Sequence, residues 1–361
     1  MNLFRVDNFS SSSIEFTETQ IDGLILKSVL DQYFINYKII DILKIKTTAI
    51  NSVNYKMLIS IDGFKKELLF RKYNTLQLDQ IKFYLEFFEK FSNKFLQIGK
   101  VIKTKSGELM ISIDGNNYAL FEFVGGDYFY PNEKSLVSIA QAIARMHNVF
   151  DTFGKEDIDE IDILSQQGYT YFNKIKNYST NDFDFLKKNI EGKENLDEQD
   201  KNVLEKIPLF IKTVEEIKKE NKKISNLPVG LIHSDLHPHN FLLKDDVLQA
   251  ILDFDGMRVS QKVRDVSFTI YRLGRQFFAQ NLMEQNKENG KKLANIFIKT
   301  YEKERVMKKD EKNLLPLLVK DEFIRKILFV LNGVYKENNN TWKKDLPKFL
   351  IAIDEINYFF D

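Results

Sequence analysis

The sequence predicts an α+β protein with a small antiparallel sheet in its first third and a larger, mainly helical remainder. Three observations carry that reading. Before Gly125-Gly126 the apolar residues fall in short β-prone runs separated by turn signals, and after it they recur at helical spacing. The stretch Leu231 to Asp255 breaks the helical texture with two short apolar runs around a loop rich in His, Asp and Asn. At 361 residues the chain exceeds one typical compact domain and suits two unequal lobes.

Residues 1–17 read as a flexible amino-terminal arm, polar and Ser-rich over 8–17. Residues 18–35 have helical spacing. Tyr37 to Lys46, Tyr55 to Ile61 and Glu67 to Tyr73 are β-prone runs, with a turn signal at Asp62-Gly63. Leu76 to Phe95 has the apolar spacing of a helix. Val101 to Lys105, Glu108 to Ile113 and Tyr118 to Val124 add two or three strands, with turns at Ser106-Gly107 and Asp114-Gly115. A sheet-bearing domain with one inserted helix is therefore expected over 18–124, and a helical domain over 125–361. Within the latter, Glu133 to Phe150 is one helix, 156–225 holds charged amphipathic segments, and the chain is helical again from Val263. There is no internal repeat.

Composition excludes several classes of function. Hydrophobic residues make up 43% of the chain, with 31 Phe, enough for sizeable cores, and 15 Gly and 6 Pro argue against long loops. The 53 basic and 52 acidic side chains leave a formal charge of +1, which supplies no global field for nucleic acid or an anionic membrane. The Lys/Glu run from Lys212 to Lys223 reads as a solvated helix face. Absence of cysteine removes disulfides, thiolate zinc sites and cysteine nucleophiles. The first residues lack a basic segment followed by an apolar run, and the longest apolar stretches fall short of a membrane span. A cytoplasmic protein without a nucleic-acid or membrane partner is expected, its oligomeric state open.

Three of the four histidines lie within seven residues, in Gly230-Leu231-Ile232-His233-Ser234-Asp235-Leu236-His237-Pro238-His239-Asn240. A second block, Ala250-Ile251-Leu252-Asp253-Phe254-Asp255-Gly256, follows. The cluster can be read as a metal site, as a polar surface hairpin, or as the centre of a phosphoryl transferase. Phosphoryl transfer needs a carboxylate to accept or orient the attacking hydroxyl and hard oxygen ligands to hold magnesium on the phosphates. A His-x-Asp followed by four residues and Asn, with an Asp-Phe on a nearby segment, supplies those groups. Here Asn240 follows Asp235 at that spacing, and Asp253-Phe254 comes thirteen residues after Asn240. His237 and His239, two apart around Pro238, suit zinc poorly.

These two linked blocks resemble the signature of the small-molecule kinases related to aminoglycoside phosphotransferases, choline kinases and homoserine kinases. The resemblance implies a bilobal protein-kinase-like fold, ATP as phosphoryl donor, Mg2+ as cofactor and a small-molecule hydroxyl as acceptor. By position it makes Asp235 the catalytic base or orienting carboxylate, and Asn240 and Asp253 the magnesium ligands. Asp255 takes the family's second acidic position, with a metal or supporting role. It gives His233 a bracing role, and Asp265, in Arg264-Asp265, the role of buttressing the catalytic loop. His147, at the end of the helix from Ile139, matches a packing position.

The first third carries the resemblance less sharply. Ala49 to Tyr55, with Asn51 and Asn54, resembles the nucleotide-covering loop but has no glycine, which allows backbone amides a less close approach to phosphate. Strand alternation puts Arg71 and Lys72 on opposite faces, so one of them can point at the nucleotide. The family's register favours Arg71, and Glu86 on the following helix is the candidate partner for that cation. Tyr118 to Gly126 resembles the hinge between lobes, where Glu122 and Val124 would offer main-chain groups to the adenine edge. Amino sugars, sugars, amino alcohols and homoserine-like compounds are the acceptor classes the resemblance allows. Competing readings are a catalytically weak or inactive binding or structural protein on the same fold, and a protein kinase, for which the Gly-x-Gly-x-x-Gly and Ala-Pro-Glu blocks are missing.

Overall fold

Period-two alternation in the first third builds a sheet with two different faces. The computed structural model describes residues 13–18, 21–46, 52–167, 171–339, 341, 343 and 346–360. Its described residues form two compact units, one of 13–130 with 239–252 and one of 131–238 with 253–360. In the first, β1 (Phe16–Thr17), β2 (Tyr37–Ile45), β3 (Ser52–Ile61), β4 (Phe64–Tyr73), β5 (Val101–Ile102), β6 (Ile111–Ile113) and β7 (Asn116–Glu122) pair antiparallel in the order β1-β2-β3-β4-β7-β5, with β6 also on β7. One face, with Met57, Ile59, Leu68, Phe70, Tyr118 and Leu120, packs on Leu26, Val29, Leu30 and Tyr33 of α1 (Gly23–Tyr33). On the other, Leu69, Tyr73, Ala119 and Phe121 pack with Ile81 and Leu85 of α2 (Leu78–Ser92). Burying such side chains stabilises the unit by roughly 1.5–3 kcal/mol each.

The turn signals act through backbone handedness. Asp62 and Gly63 between β3 and β4 both have positive φ, as do Asp114 and Gly115 between β6 and β7. That is the geometry a two-residue hairpin needs to match strand twist. The expected strand over 101–105 stops at Ile102 because the chain turns. Thr104 Oγ1 accepts from the Glu108 amide, and the Gly107 amide bonds to the Thr104 carbonyl. The arm expected over 1–17 is described only from residue 13, and that part is tied down. Phe16 and Thr17 pair with Ile45 and Lys44, Lys46 bridges Glu15 at 2.7 Å, and Ser13 donates to Asp127 at 3.0 Å.

A short strand, β8 (Asp127–Tyr128), ends the first pass of this unit. The second unit then begins with α3 (Glu133–Phe150), whose bounds match those of the helix expected from spacing, its first turn capped by Asn132. The amphipathic stretch that follows divides into α4 (Lys155–Gln167), α5 (Tyr171–Lys174), α6 (Thr180–Glu191) and α7 (Glu198–Ser225). After β9 (Val229–Ile232), the hairpin β10 (Phe241–Lys244) and β11 (Val247–Ile251) belongs to the sheet-bearing unit, where β10 pairs with β8. Gly126 makes that pairing possible, since a Cβ there would lie 2.8 Å from the Leu243 carbonyl oxygen. The chain returns through β12 (Arg258–Gln261), which pairs with β9, into α8 (Val263–Ala279), α9 (Lys287–Glu302), α10 (Lys309–Tyr335) and α11 (Leu346–Ile356).

Helix α8 is buried almost all round, and α10 packs on it as well as on α6, α7 and α11. Both carry charges into this interior, so each charge needs a partner. Arg264 bridges Asp321 at 2.6 Å and Glu322 at 2.9 Å, and Arg258 of β12 bridges Glu322 at 2.6 Å. Tyr171 donates to the other Glu322 oxygen at 2.9 Å, and Tyr178 donates to Asp321. A second buried set joins Arg275 and Tyr271 to Glu355 at 2.8 and 2.6 Å. Among the described residues, no helix is long and apolar enough to cross a membrane.

Burial opposes ionisation of Glu322, but Arg258 and Arg264 outweigh it and hold the carboxyl below its usual range. A depressed folded pKa stabilises the fold above the unfolded value and loses that contribution as pH falls through the folded one. Glu322→Gln should therefore destabilise the protein by about 3–5 kcal/mol at neutral pH, because it removes the carboxylate partner of the buried Arg258 and leaves Arg264 with Asp321 alone. The deficit should persist to about pH 4, near the unfolded carboxyl value, and close only below it. Denaturant melts of both proteins at several pH values measure this, and equal stability at pH 7 would contradict it.

Candidate active site

The β9–β12 pairing sets Ile232 opposite Arg258, so the segment leaving β9 and the segment entering β12 run side by side. The first is His233-Ser234-Asp235 and the second Asp253 to Gly256. Each contains one non-glycine residue in the left-handed region, Ser234 at φ 70 and Asp253 at φ 62, ψ 61. Such residues cost on the order of 1–3 kcal/mol and persist where the surroundings over-determine them. The surroundings here are specific. Ser234 Oγ donates to the Gly256 carbonyl, and a Cβ on Gly256 would lie 3.2 Å from that hydroxyl. The fully buried His233 ring lies 4.6 Å from the Phe254 ring.

Asp265, at the start of α8, completes the support. Its buried carboxylate accepts from the amide of His233 at 2.7 Å and from that of Ser234 at 2.8 Å. His147 Nε2 lies 3.1 Å from the same carboxylate, and His147 Nδ1 lies 2.8 Å from the Tyr301 hydroxyl. Burial pushes the Tyr301 hydroxyl up, so it stays protonated. A Tyr301 donor at Nδ1 leaves Nε2–H pointing at Asp265.

Asp235 stands just beyond this clamp. Its amide lies 3.4 Å from His233 Nδ1. Its carboxylate, 39% exposed, has Lys326 Nζ at 3.5 Å from Oδ1 and His237 Nε2 at 3.5 Å from Oδ2. Burial opposes ionisation, but Lys326, His237 and His233 together hold the carboxyl well below the usual range. Lys326 belongs to α10 and is absent from the sequence motifs. Its one visible signal is the charged run Lys320-Asp321-Glu322, then Arg325-Lys326, inside an otherwise apolar helix.

The clustered histidines each meet a different partner. His233 packs at a tilt against Phe254, His237 faces Asp235, and His239 meets the edge of Tyr128 at 5.3 Å. Among the described residues no three His, Cys, Asp or Glu side chains group as a metal cage. Asp253 is exposed and Asp255 half-buried, on either side of the buried Phe254.

In the sheet-bearing unit, Asn240 is buried, and its carbonyl accepts from the Leu252 amide at 2.9 Å, closing the base of the β10–β11 hairpin one residue before Asp253. Arg71 pairs across the sheet with Asn54 and Ala119, on the face that packs against α2. Its Nε donates to Asn54 Oδ1 at 2.8 Å, and its guanidinium lies 5.3 Å from the Phe121 ring. Lys72, opposite Val53 and Tyr118, is on the α1 face. Glu86 corrects the expectation made for it: it is exposed, and no ion pair joins it to Arg71 or Lys72 among the described residues. The apolar stripe of α2 turns Phe87 and Phe88 inward and leaves Glu86 outside. Asn51 lies outside the described residues. At the end of β7 the Glu122 amide bonds to the Lys100 carbonyl at 2.8 Å and the Phe123 amide to the Glu67 carbonyl at 3.3 Å. The Glu122 carbonyl and the Val124 amide bond to no backbone group among the described residues.

The profile of the phosphotransferase enzyme family (APH) matches residues 47–294, and no curated protein sequence matches significantly. Similar solved structures include an aminoglycoside phosphotransferase from Alicyclobacillus acidocaldarius, with 12% identity over 95% of each chain and a TM-score of 0.63. A spectinomycin phosphotransferase solved with ADP and spectinomycin has 14% identity over 93% of this chain and 96% of its own, at 0.63. An amicoumacin kinase solved with AMP-PNP and Ca2+ has 14% identity over 94% and 96%, at 0.61. The chain thus belongs to the phosphotransferase enzyme family, with the protein-kinase-like α+β fold of its small-molecule kinases.

Proposed function

We propose that the chain transfers the γ-phosphoryl group of ATP to a hydroxyl of a small molecule, an amino sugar, sugar, amino alcohol or homoserine-like compound, with Asp235 at the point of attack. The observation that carries this reading is the mounting of Asp235. It is an accessible, ionised carboxylate, on a loop whose preceding two amides are fixed by the buried Asp265. A group so mounted orients an attacking hydroxyl at little reorganisation cost. Because its conjugate acid is strong, Asp235 is a weak base. It aligns the hydroxyl first and accepts the proton late, as the oxygen–phosphorus bond forms and the bond to ADP breaks.

The donor set fits magnesium. Asp253, Asp255 and Asn240 offer hard oxygen ligands and no thiolate or imidazole cage, and magnesium keeps few protein ligands beside nucleotide phosphates. Asp253 and Asn240 would hold the ion, with Asp255 in support, and the ion would neutralise charge on the phosphates. Arg71, on the α2 face and steadied by Asn54, is the residue that would meet the phosphates, and Lys72 on the other face is the alternative. The Glu122 carbonyl and Val124 amide, which have no backbone partner among the described residues, would offer the acceptor and donor that the adenine edge requires.

Asp235→Asn should lower phosphoryl transfer by at least about a hundredfold while ATP affinity stays near wild type. A coupled ADP-release assay with calorimetric titration of ATP reads both, and wild-type turnover in the variant would refute the role. Asp253→Ala should instead weaken magnesium-ATP binding about tenfold or more, with little effect on ATP binding in EDTA. If magnesium-ATP affinity is unchanged, the ligand assignment is wrong. Magnesium-ATP binding with no transfer to any acceptor would favour the inactive-protein reading, and transfer to proteins alone the protein-kinase one.

A further inference from the structure

Lys326 beside Asp235 is a buried cation whose surroundings leave it poorly neutralised. Its ammonium lies 4.4 Å from the Phe268 ring, 4.7 Å from Tyr171 and 5.9 Å from Phe323, and its side chain is 14% exposed. Of its three donors, one meets an acceptor among the described residues, Asp235 Oδ1 at 3.5 Å, long for a charge-assisted hydrogen bond. Burial lowers the Lys326 pKa, Asp235 and, more weakly, Glu322 oppose that, and Arg272, one turn after Phe268 on α8, adds like-charge repulsion. The carboxylates nearby are engaged elsewhere. Glu322 is bonded to Arg258, Arg264 and Tyr171, and Asp321 to Arg264, Tyr178 and Arg325. The acidic side chains of α4 that are exposed, Glu156, Asp159 and Glu160, lie off its buried stripe of Ile161 and Leu164.

Resting on the phosphotransferase reading above, we propose that Lys326, with Arg272 beside it, receives an anionic substituent of the acceptor, so that the acceptor is a hydroxyl compound bearing a carboxylate or phosphate. An anion there would supply the charge and acceptors the ammonium lacks, and would leave the acceptor's hydroxyl within reach of Asp235. A polycationic acceptor would meet Lys326 and Arg272 where it needs carboxylates, and of Asp235, Asp321 and Glu322 Asp235 alone is accessible among the described residues.

The test is an ADP-release panel with wild type, Lys326→Met and Lys326→Arg, each checked for folding by circular dichroism. Glycerate, gluconate and glycerol phosphate represent the anionic acceptors, homoserine the zwitterionic one, glycerol and glucose the neutral ones, kanamycin and ethanolamine the cationic ones. The highest kcat/KM should fall in the anionic group, with glycerate against glycerol phosphate separating carboxylate from phosphate. Lys326→Met should raise KM for that acceptor about tenfold or more, with KM for ATP unchanged, and Lys326→Arg should keep most of the affinity. Preference for kanamycin or ethanolamine overturns the inference and leaves the phosphotransferase reading intact. So does a Lys326→Met variant that loses turnover equally with every acceptor or changes KM for ATP. Release of ADP with no acceptor counts against the phosphotransferase reading itself.

Discussion

The carboxylate of Asp265 is the constraint on which the proposed chemistry of the helical unit depends. Two successive backbone amides, those of His233 and Ser234, converge on it, and Ser234 can hold its left-handed conformation because of that convergence. His147 and Tyr301 in turn fix Asp265 from α3 and α9. Three helices distant in sequence, α3, α8 and α9, thus agree on the position of one loop, and Asp235 inherits that position through two peptide units. A side chain on a free hairpin would have to lose its own rotamer and backbone entropy at each encounter with an acceptor. Here that entropy was lost on folding.

In the sheet-bearing unit the proposed nucleotide contacts depend on strand register. Ladder pairing consumes nearly every backbone group of β4 and β7, and Arg71 is fixed on one face by register alone. At the end of β7 the pairing runs out, leaving a carbonyl at Glu122 and an amide at Val124 without a backbone partner among the described residues. Gly99 packs its backbone against the Glu122 carbonyl, where a Cβ would lie 2.8 Å from the oxygen, so no side chain crowds that edge from this residue.

What was legible in the sequence follows from the range of each signal. The helix over Glu133 to Phe150 and the hairpin turns at Asp62-Gly63 and Asp114-Gly115 rest on local periodicity and local backbone handedness, which a sequence displays directly. Strands β8 and β12 were not foreseen: two residues carry no period, and Arg-Val-Ser-Gln is polar by strand standards. Asp235, Asn240 and Asp253 were visible as a spaced motif. Lys326, ninety-one residues after Asp235, was not, because its place beside that carboxylate is decided by how α10 packs on α8. Glu86 failed for a related reason. Its register on α2 is set by which Phe residues turn inward, and helical spacing alone leaves that choice open.

The central claim is that phosphoryl transfer to a small-molecule hydroxyl occurs at Asp235. The most direct measurement incubates the protein with γ-labelled ATP, magnesium and a protein-free extract of small metabolites, then separates small-molecule, protein and inorganic phosphate fractions. The account predicts label in a new small-molecule phosphate ester with the wild-type protein. Label confined to inorganic phosphate or to protein would contradict it.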